Sequence, residues 1–433
     1  MSPESTHSRR RFLAGLGAVA VGGLLAGCSS TDPSPEFPSV DFSRVVNVEE
    51  AGADASGEEP IDSLLTDVTA DDTLLYFPEG RYLLKRVWHP PPGVRKLGIL
   101  GPEATIVPPD GYDGFMFAVG EHDAVDELYV RGLRFDVSAE NTGARALQAK
   151  VNDRLRVEDV SVRGRQDTNQ NAVSVNVLNP GGSGRIERLS MPDGGVPGGN
   201  AVGCLVTPKN RGHLVFEDCV VGGFPNNGLY ASPSRGRIDV RGGEYFNNDI
   251  ANVRVSGPSL VDGVTVWADL ADEANRNVRG IRLKAGRDIT VEGCEVDVRN
   301  VPYSDGAISL AAPLESAVIR ETTINVDADA VPAVRIKPPS DGVAERVVHC
   351  DGVSITGTAA NGSAVRIVER NRALFTNTEI RQSGSNRNGL HLIDSDRVVF
   401  RGGRISVTGE PVVTENSSFK PRNVTIRPPL PDR

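Results

Sequence analysis

The chain has 433 residues, 39% of them hydrophobic and only 5% aromatic, and it carries a formal net charge of -10. That acidity excludes a general nucleic-acid binder, whose affinity rests on neutralising phosphates. A single apolar run near the N-terminus is too short for a spanning helix, so a polytopic helical membrane protein is excluded too.

In chain order, the first element is a targeting segment. Ser8 to Leu13 reads SRRRFL, the apolar run AGLGAVAVGGLLAG follows, and that run ends in Leu25, Ala26, Gly27 and Cys28. The arrangement resembles a twin-arginine export signal joined to a lipoprotein lipobox, so residues 1–27 are set apart from the fold. The resemblance implies export in the folded state and a cell-surface, extracellular location. It also implies a lipid on Cys28 as the membrane attachment. Losing residues 1–27 removes Arg9, Arg10, Arg11 and Glu4, which takes the net charge from -10 by a further -2 to -12. Residues 28–43 are rich in Ser and Pro and read as a tether. Residues 44–125 are expected to form an N-terminal cap and first coils, residues 126–428 the repeats, and 429–433 a C-terminal tail.

Self-similarity dominates the remainder. A small residue followed by apolar–x–apolar recurs as ALQA, AVSV, AVGC, GLYA, NVRV, GIRL, AISL, AVRI, AVRI and GLHL. The first apolar residues are Leu147, Val173, Val202, Leu229, Val253, Ile281, Ile308, Val334, Val365 and Leu390, a period near 27. Between them lies a second unit, apolar–x–apolar–x–(Asp, Gly or Asn)–small–x–apolar, as in LRVEDVSV and ITVEGCEV. A period of two marks strands with one buried face. Repeats this short leave no room for helices between strands, and each must stack on its neighbours to close a core. The fold class expected is all-β, a right-handed parallel β-helix solenoid with a short N-terminal capping helix. Cys204, Cys219, Cys294 and Cys350 form no CxxC and replace apolar residues of the pattern, so they read as buried, inert thiols.

This repeat grammar, together with FPEGRYLL at 77–84 and the segment before it, resembles the pectin-lyase-like superfamily over residues 44–428. In that family a short helix caps the open end before the first coil, and the small–apolar–x–apolar strand floors a substrate groove. The family contains lyases, hydrolases, tailspikes and non-catalytic adhesins, so the resemblance is specific for fold and not for activity.

Residues flanking the inward positions point outward. The first outward column is Gln148, Ser174, Gly203, Tyr230, Arg254, Arg282, Ser309, Arg335, Arg366 and His391. The second is Lys150, Asn176, Leu205, Ser232, Ser256, Lys284, Ala311, Lys337, Val368 and Ile393. Seven of these twenty are Lys or Arg and none is Asp or Glu, although composition alone would put about two of each kind there. Like charges stacked at a coil spacing of ~4.8 Å are unfavourable unless an anion lies across them. The partner this column suits is therefore an acidic polysaccharide, bound through Arg254, Arg366, His391, Tyr230 and Asn227.

Three chemistries are open on that groove. β-Elimination on a uronate polymer would use Lys284 or Lys337 as base and Arg282 or Arg335 to neutralise the carboxylate. Some lyases of this fold also hold Ca²⁺; the candidate acids are Asp269, Asp272 and Glu273. Hydrolysis would use a carboxylate pair, Asp249 and Asp305. Resemblance to the polygalacturonases is fragmentary, with NNGLY, SDGAISL and RIK present, Gly-His-Gly missing, and Asn227 and Gly306 where carboxylates are expected. The third is a non-catalytic surface glycan-binding or adhesin module.

Overall fold

The computed structural model describes residue 37 and residues 39–270 and 277–427. The export signal, Cys28, most of the tether, Asp272 and Glu273 lie outside the described residues. The described residues form a β-solenoid of about 13 turns with one helix, Asp62–Val68. Helix residue Leu65 and the preceding Ile61 are buried in the same core as Val48, Leu75 and Tyr82.

Each turn adds strands to three parallel ladders, called here the first, second and third sheets. The first runs from Asp113–Val119 to Val412–Glu415, the second from Arg44–Asn47 to Phe419–Arg422, and the third from Gly80–Leu83 to Thr425–Ile426. The 16-residue strand Gly143–Glu158 bends through both the first and the second sheet. A parallel ladder hydrogen-bonds each strand to its equivalent one coil on, so the repeat period becomes physical adjacency.

Inward positions stack in single file. Leu147 pairs with Val173, and Leu229, Val253, Ile281, Ile308, Val334, Val365 and Leu390 follow in register. All are essentially without solvent contact, and each contributes about 1.5–3 kcal/mol by leaving water. The small residue before them has a packing cause. A Cβ on Gly280 would sit 2.7 Å from Val296 Cγ1 on the third sheet. Four cysteines, Cys204, Cys219, Cys294 and Cys350, are buried and unpaired. Burial pushes the thiols of Cys219 and Cys350 up to about 12, so they stay protonated.

One coil departs from the expected register. Val173 pairs with Cys204 rather than Val202, and Cys204 in turn pairs with Leu229. The motif is therefore Gly203-Cys204-Leu205-Val206, two residues later than read, and Leu205 takes the outward place assigned to Gly203. The position written Asp, Gly or Asn in the second unit is the corner between the second and third sheets. There Asp159, Asp218, Gly263, Gly293 and Asn377 all adopt positive φ of 50–60°, a region Asn, Asp and Gly enter most readily.

Two fully buried arginines staple the C-terminal coils. Arg387 donates to Gln382 Oε1 at 2.7 Å, Asn361 O at 2.7 Å and Val331 O at 2.6 Å. Arg370 donates to Leu314 O at 2.7 Å and to the carbonyls of Lys337 and Ala312. Replacing Arg387 by Leu leaves three buried acceptors without donors, and a loss of about 3 kcal/mol or more is expected. It would be read as a lower urea midpoint; an unchanged midpoint would mean that water satisfies those oxygens.

Candidate functional site

The outward column of the first sheet is continuous in the structure. Residue pairing runs Gln148, Ser174, Leu205, Tyr230, Arg254, Arg282, Ser309, Arg335, Arg366, His391. Five of the predicted residues, Arg254, Arg282, Lys284, Arg335 and Lys337, fall in one cluster with Asp305. A sixth cation, Arg279, joins them; it was not singled out from sequence because it precedes the small residue of the motif.

Asp305 organises this cluster. It sits in the turn before strand Gly306–Leu310, where its own N–H donates to Asn277 Oδ1 at 2.7 Å. Its carboxylate is 3% exposed and accepts from Arg279 Nη2 at 2.5 Å, Arg335 Nη1 at 2.9 Å and Lys337 Nζ at 2.5 Å. Arg279 also donates to the carbonyls of Ile250 and Asn277, which locks its fork in place. Burial alone would raise the carboxyl's pKa, but the hydrogen bonds from Lys337 and Arg279 outweigh it and hold the group well below the usual range. A carboxylate so held gives up no proton to a leaving group. Asp305, read from sequence as one of a hydrolytic pair, is instead the shared counterion of three cations. Asp249 lies buried in the turn whose N–H donates to Phe224 O.

The remaining cations have no acid. Among the described residues Arg254, Arg282 and Lys284 make no ion pair. Arg254 lies over the Tyr230 ring, 4.3 Å from its centroid. Arg282 is pushed down to about 10 by burial and by its neighbours Arg279 and Arg254. Lys284 is lowered by burial and then by Arg282, Arg254 and Lys337. On four successive rungs the Nε of Arg254, Arg282 and Arg335 and the Oγ of Ser309 are buried without a hydrogen-bond partner. Two like charges ~5 Å apart near a protein surface repel by about 3 kcal/mol, so this arrangement is poised for an anion. Six cations and one carboxylate leave it a net charge of +5.

Beyond the cluster, Arg366 is exposed and His391 Nε2 lies 2.7 Å from Glu415 Oε1. Arg335, Arg366 and His391 border a common depression of about 340 Å³. Asn227 is buried, opens strand Asn227–Tyr230 and donates to Asn226 Oδ1 at 2.5 Å. Asp269, the described member of the suggested Ca²⁺ set, uses its backbone N–H to donate to Asn247 Oδ1.

A second cationic centre lies on the same face, four rungs (about 19 Å) toward the N-terminus of the solenoid. Arg145, Gln148, Lys150, Asn171 and Lys209 border a cavity of about 390 Å³ with Phe115 and Leu205. Arg145 lies over the Phe115 ring at 3.7 Å. Arg145 Nε, Gln148 Nε2 and Asn171 Nδ2 are buried donors with no acceptor. Lys150 is lowered by burial and by Lys209. The column pointed to Gln148 and Lys150, whereas Arg145 and Lys209 lie off it and carried no sequence signal.

No protein-family model matches the chain, and no curated protein matches it in sequence. Solved structures do resemble it. The surface adhesin PfbA of Streptococcus pneumoniae superposes with a TM-score of 0.52 at 12% identity, covering 83% of this chain and 92% of that one. The tailspike gp49 of Pseudomonas phage LKA1 gives 0.52 at 11% identity, over 86% and 81%. The A-module of mannuronan C-5 epimerase AlgE4 from Azotobacter vinelandii gives 0.44 at 15%, over 79% and 96%. The first two establish the class, a right-handed parallel β-helix.

Asp305→Asn tests the counterion role. Breaking a buried ion pair by removing one partner is expected to cost about 3–5 kcal/mol at pH 7. Asp305 has a folded pKa depressed below its unfolded value near 3.8. Its contribution is therefore complete above that value and fades as pH falls below it. Urea midpoints of wild type and variant should differ at pH 7 and converge as the pH is lowered from 4 toward 2; a constant gap would refute the assignment.

Proposed function

We propose that the protein is exported, held at the cell surface by a lipid on Cys28, and binds an acidic polysaccharide along the outer face of its first sheet. The observation that carries this reading is the pair of cationic centres on one face, each with buried N–H donors lacking acceptors, in a chain of net charge -10. A small anion would satisfy one centre. Spanning both, about 19 Å apart, takes an extended polyanion. Leu205 and Tyr230 lie between the centres and offer apolar and aromatic surface to sugar rings. A surface location also agrees with that of the pneumococcal adhesin sharing the fold.

A second reading, β-elimination, is favoured by Lys284, a lowered ammonium with no acid partner among the described residues. In its neutral form it would take the proton alpha to a uronate carboxylate. The electron pair left behind forms the carbon–carbon double bond, the bond to the glycosidic oxygen breaks, and water protonates that oxygen. Arg282 and Arg254 would neutralise the carboxylate as charge spreads into it. Lys337, the other candidate base, is engaged by Asp305, its Nζ 2.5 Å from the carboxylate.

Affinity electrophoresis in gels containing polygalacturonate, alginate or hyaluronan, with dextran as neutral control, tests the binding reading. Retention is expected only on acidic polymers, and it should weaken with salt. Arg254→Ala with Arg282→Ala should cost at least roughly tenfold in affinity, about 1.4 kcal/mol. If no acidic glycan retards the protein, the reading fails. Lys150→Ala with Lys209→Ala should weaken binding of long chains while sparing short oligomers that occupy the other centre. For elimination, unsaturated uronides absorbing in the far ultraviolet should appear, and Lys284→Ala should abolish them while retention persists. Retention with no product under any divalent metal identifies a binding module.

A further inference from the structure

We propose that His89, Glu121 and His122 form a binding site for a divalent transition-metal ion, separate from the cationic groove. They come together only through the fold. Trp88 is buried and bridges to strand Asp113–Val119, its N–H donating to Met116 O and its carbonyl accepting from Ala118 N. His89 thus stands beside the end of that strand, with Nδ1 3.3 Å from Ala118 O. The chain then turns at Gly120, φ +78°, where a Cβ would lie only 2.0 Å from Lys150 O. Only glycine fits there, and the turn throws Glu121 and His122 back over His89. The two imidazole centroids are 4.6 Å apart, and Glu121 Oε2 is 3.7 Å from His89 Nδ1.

One ligand atom from each of the three residues lies within 4.8 Å of the others. Donors arranged tetrahedrally on one ion at about 2.0–2.2 Å sit about 3.3–3.6 Å apart, so side-chain shifts of about 1 Å would complete the set. Glu121 and His122 are exposed and can make those shifts, while half-buried His89 is the fixed point. A cavity of about 230 Å³ opens here, walled by Pro90, Pro91, Pro92 and Val125, with Asp123 also at its edge. Three ligands leave a position for water or for Asp123. Two imidazoles and one carboxylate suit zinc, cobalt, nickel or copper, whereas calcium and magnesium prefer oxygen ligands alone. The site therefore differs in chemistry from the Ca²⁺ set suggested by the sequence.

Untagged full-length protein, stripped with chelator and dialysed, is titrated with zinc by calorimetry and with cobalt by visible absorption. One ion per chain is expected, with cobalt bands typical of nitrogen and oxygen ligation. His89→Gln and His122→Gln should each weaken binding at least roughly tenfold, and His349→Gln should leave it unchanged. His122 is exposed in a loop, so its variant reads metal binding even if His89→Gln perturbs folding. Absence of stoichiometric zinc and cobalt binding, or binding that survives His122→Gln, overturns the proposal.

Discussion

Everything in this molecule depends on one constraint, the parallel backbone ladder that seats each coil on the previous one. Because the ladder fixes both spacing and register, a residue's neighbours are those about one repeat away in sequence. The inward file from Leu147 to Leu390 can then be apolar throughout, and its burial supplies the stability that the one short helix among the described residues cannot. The same rule acts outside the core. Any side chain type repeated at the period becomes a row of contacts, and a repeated charge becomes a row of repulsions.

That consequence explains the role of Asp305. Arg279 comes from one coil and Arg335 and Lys337 from another two rungs on, and the three would repel one another without it. A single buried carboxylate draws all three together, satisfied by charge-assisted hydrogen bonds. It makes no ion pair with Arg254, Arg282 or Lys284, so among the described residues half of the cluster has no carboxylate partner. Sharing one acid among three cations also keeps the local balance positive, which one-to-one pairing would have cancelled. Elsewhere the chain does pair its cations conventionally, as Arg188 does with Asp159 and Arg320 with Glu292.

Much of the fold was legible because the motif recurs ten times and Ala or Gly marks nine of those strand starts. The left-handed corners between the second and third sheets fall on the Asp, Gly or Asn of the second unit in most coils, a conformation the pattern by itself did not assign. The coil around Cys204 was misread for a physical reason. Ala201, Val202, Gly203 and Cys204 alternate small and apolar twice, so a pattern of period two cannot choose between registers two residues apart. The loop before it, rich in Gly and Pro, does not constrain the choice. Arg254, Arg282 and Arg335 were readable as a row because the row follows the strand. Asp305's contacts and His89 against His122 were not, because turn and loop side chains meet in directions the period does not encode.

On the proposed reading, an acidic exterior and a cationic face would have opposite effects on a polyanion, and their combination would make the face selective. Far from the protein the net charge of -10 repels an acidic polymer, and salt screens that repulsion beyond about 10 Å. Within that distance the local field is set by the groove, where burial has stripped water from Arg254, Arg282 and Lys150 and strengthened each contact. A short anion meets one such centre and gains little over solvent. A chain long enough to reach from Arg145 to Lys284 meets both, and the second contact forms at the high effective concentration set by the first. On that reading, selectivity for length would follow from placing two unsatisfied centres on a rigid rod rather than one strong one. A rigid solenoid can hold that separation because its spacing is fixed by backbone hydrogen bonds rather than by side chains.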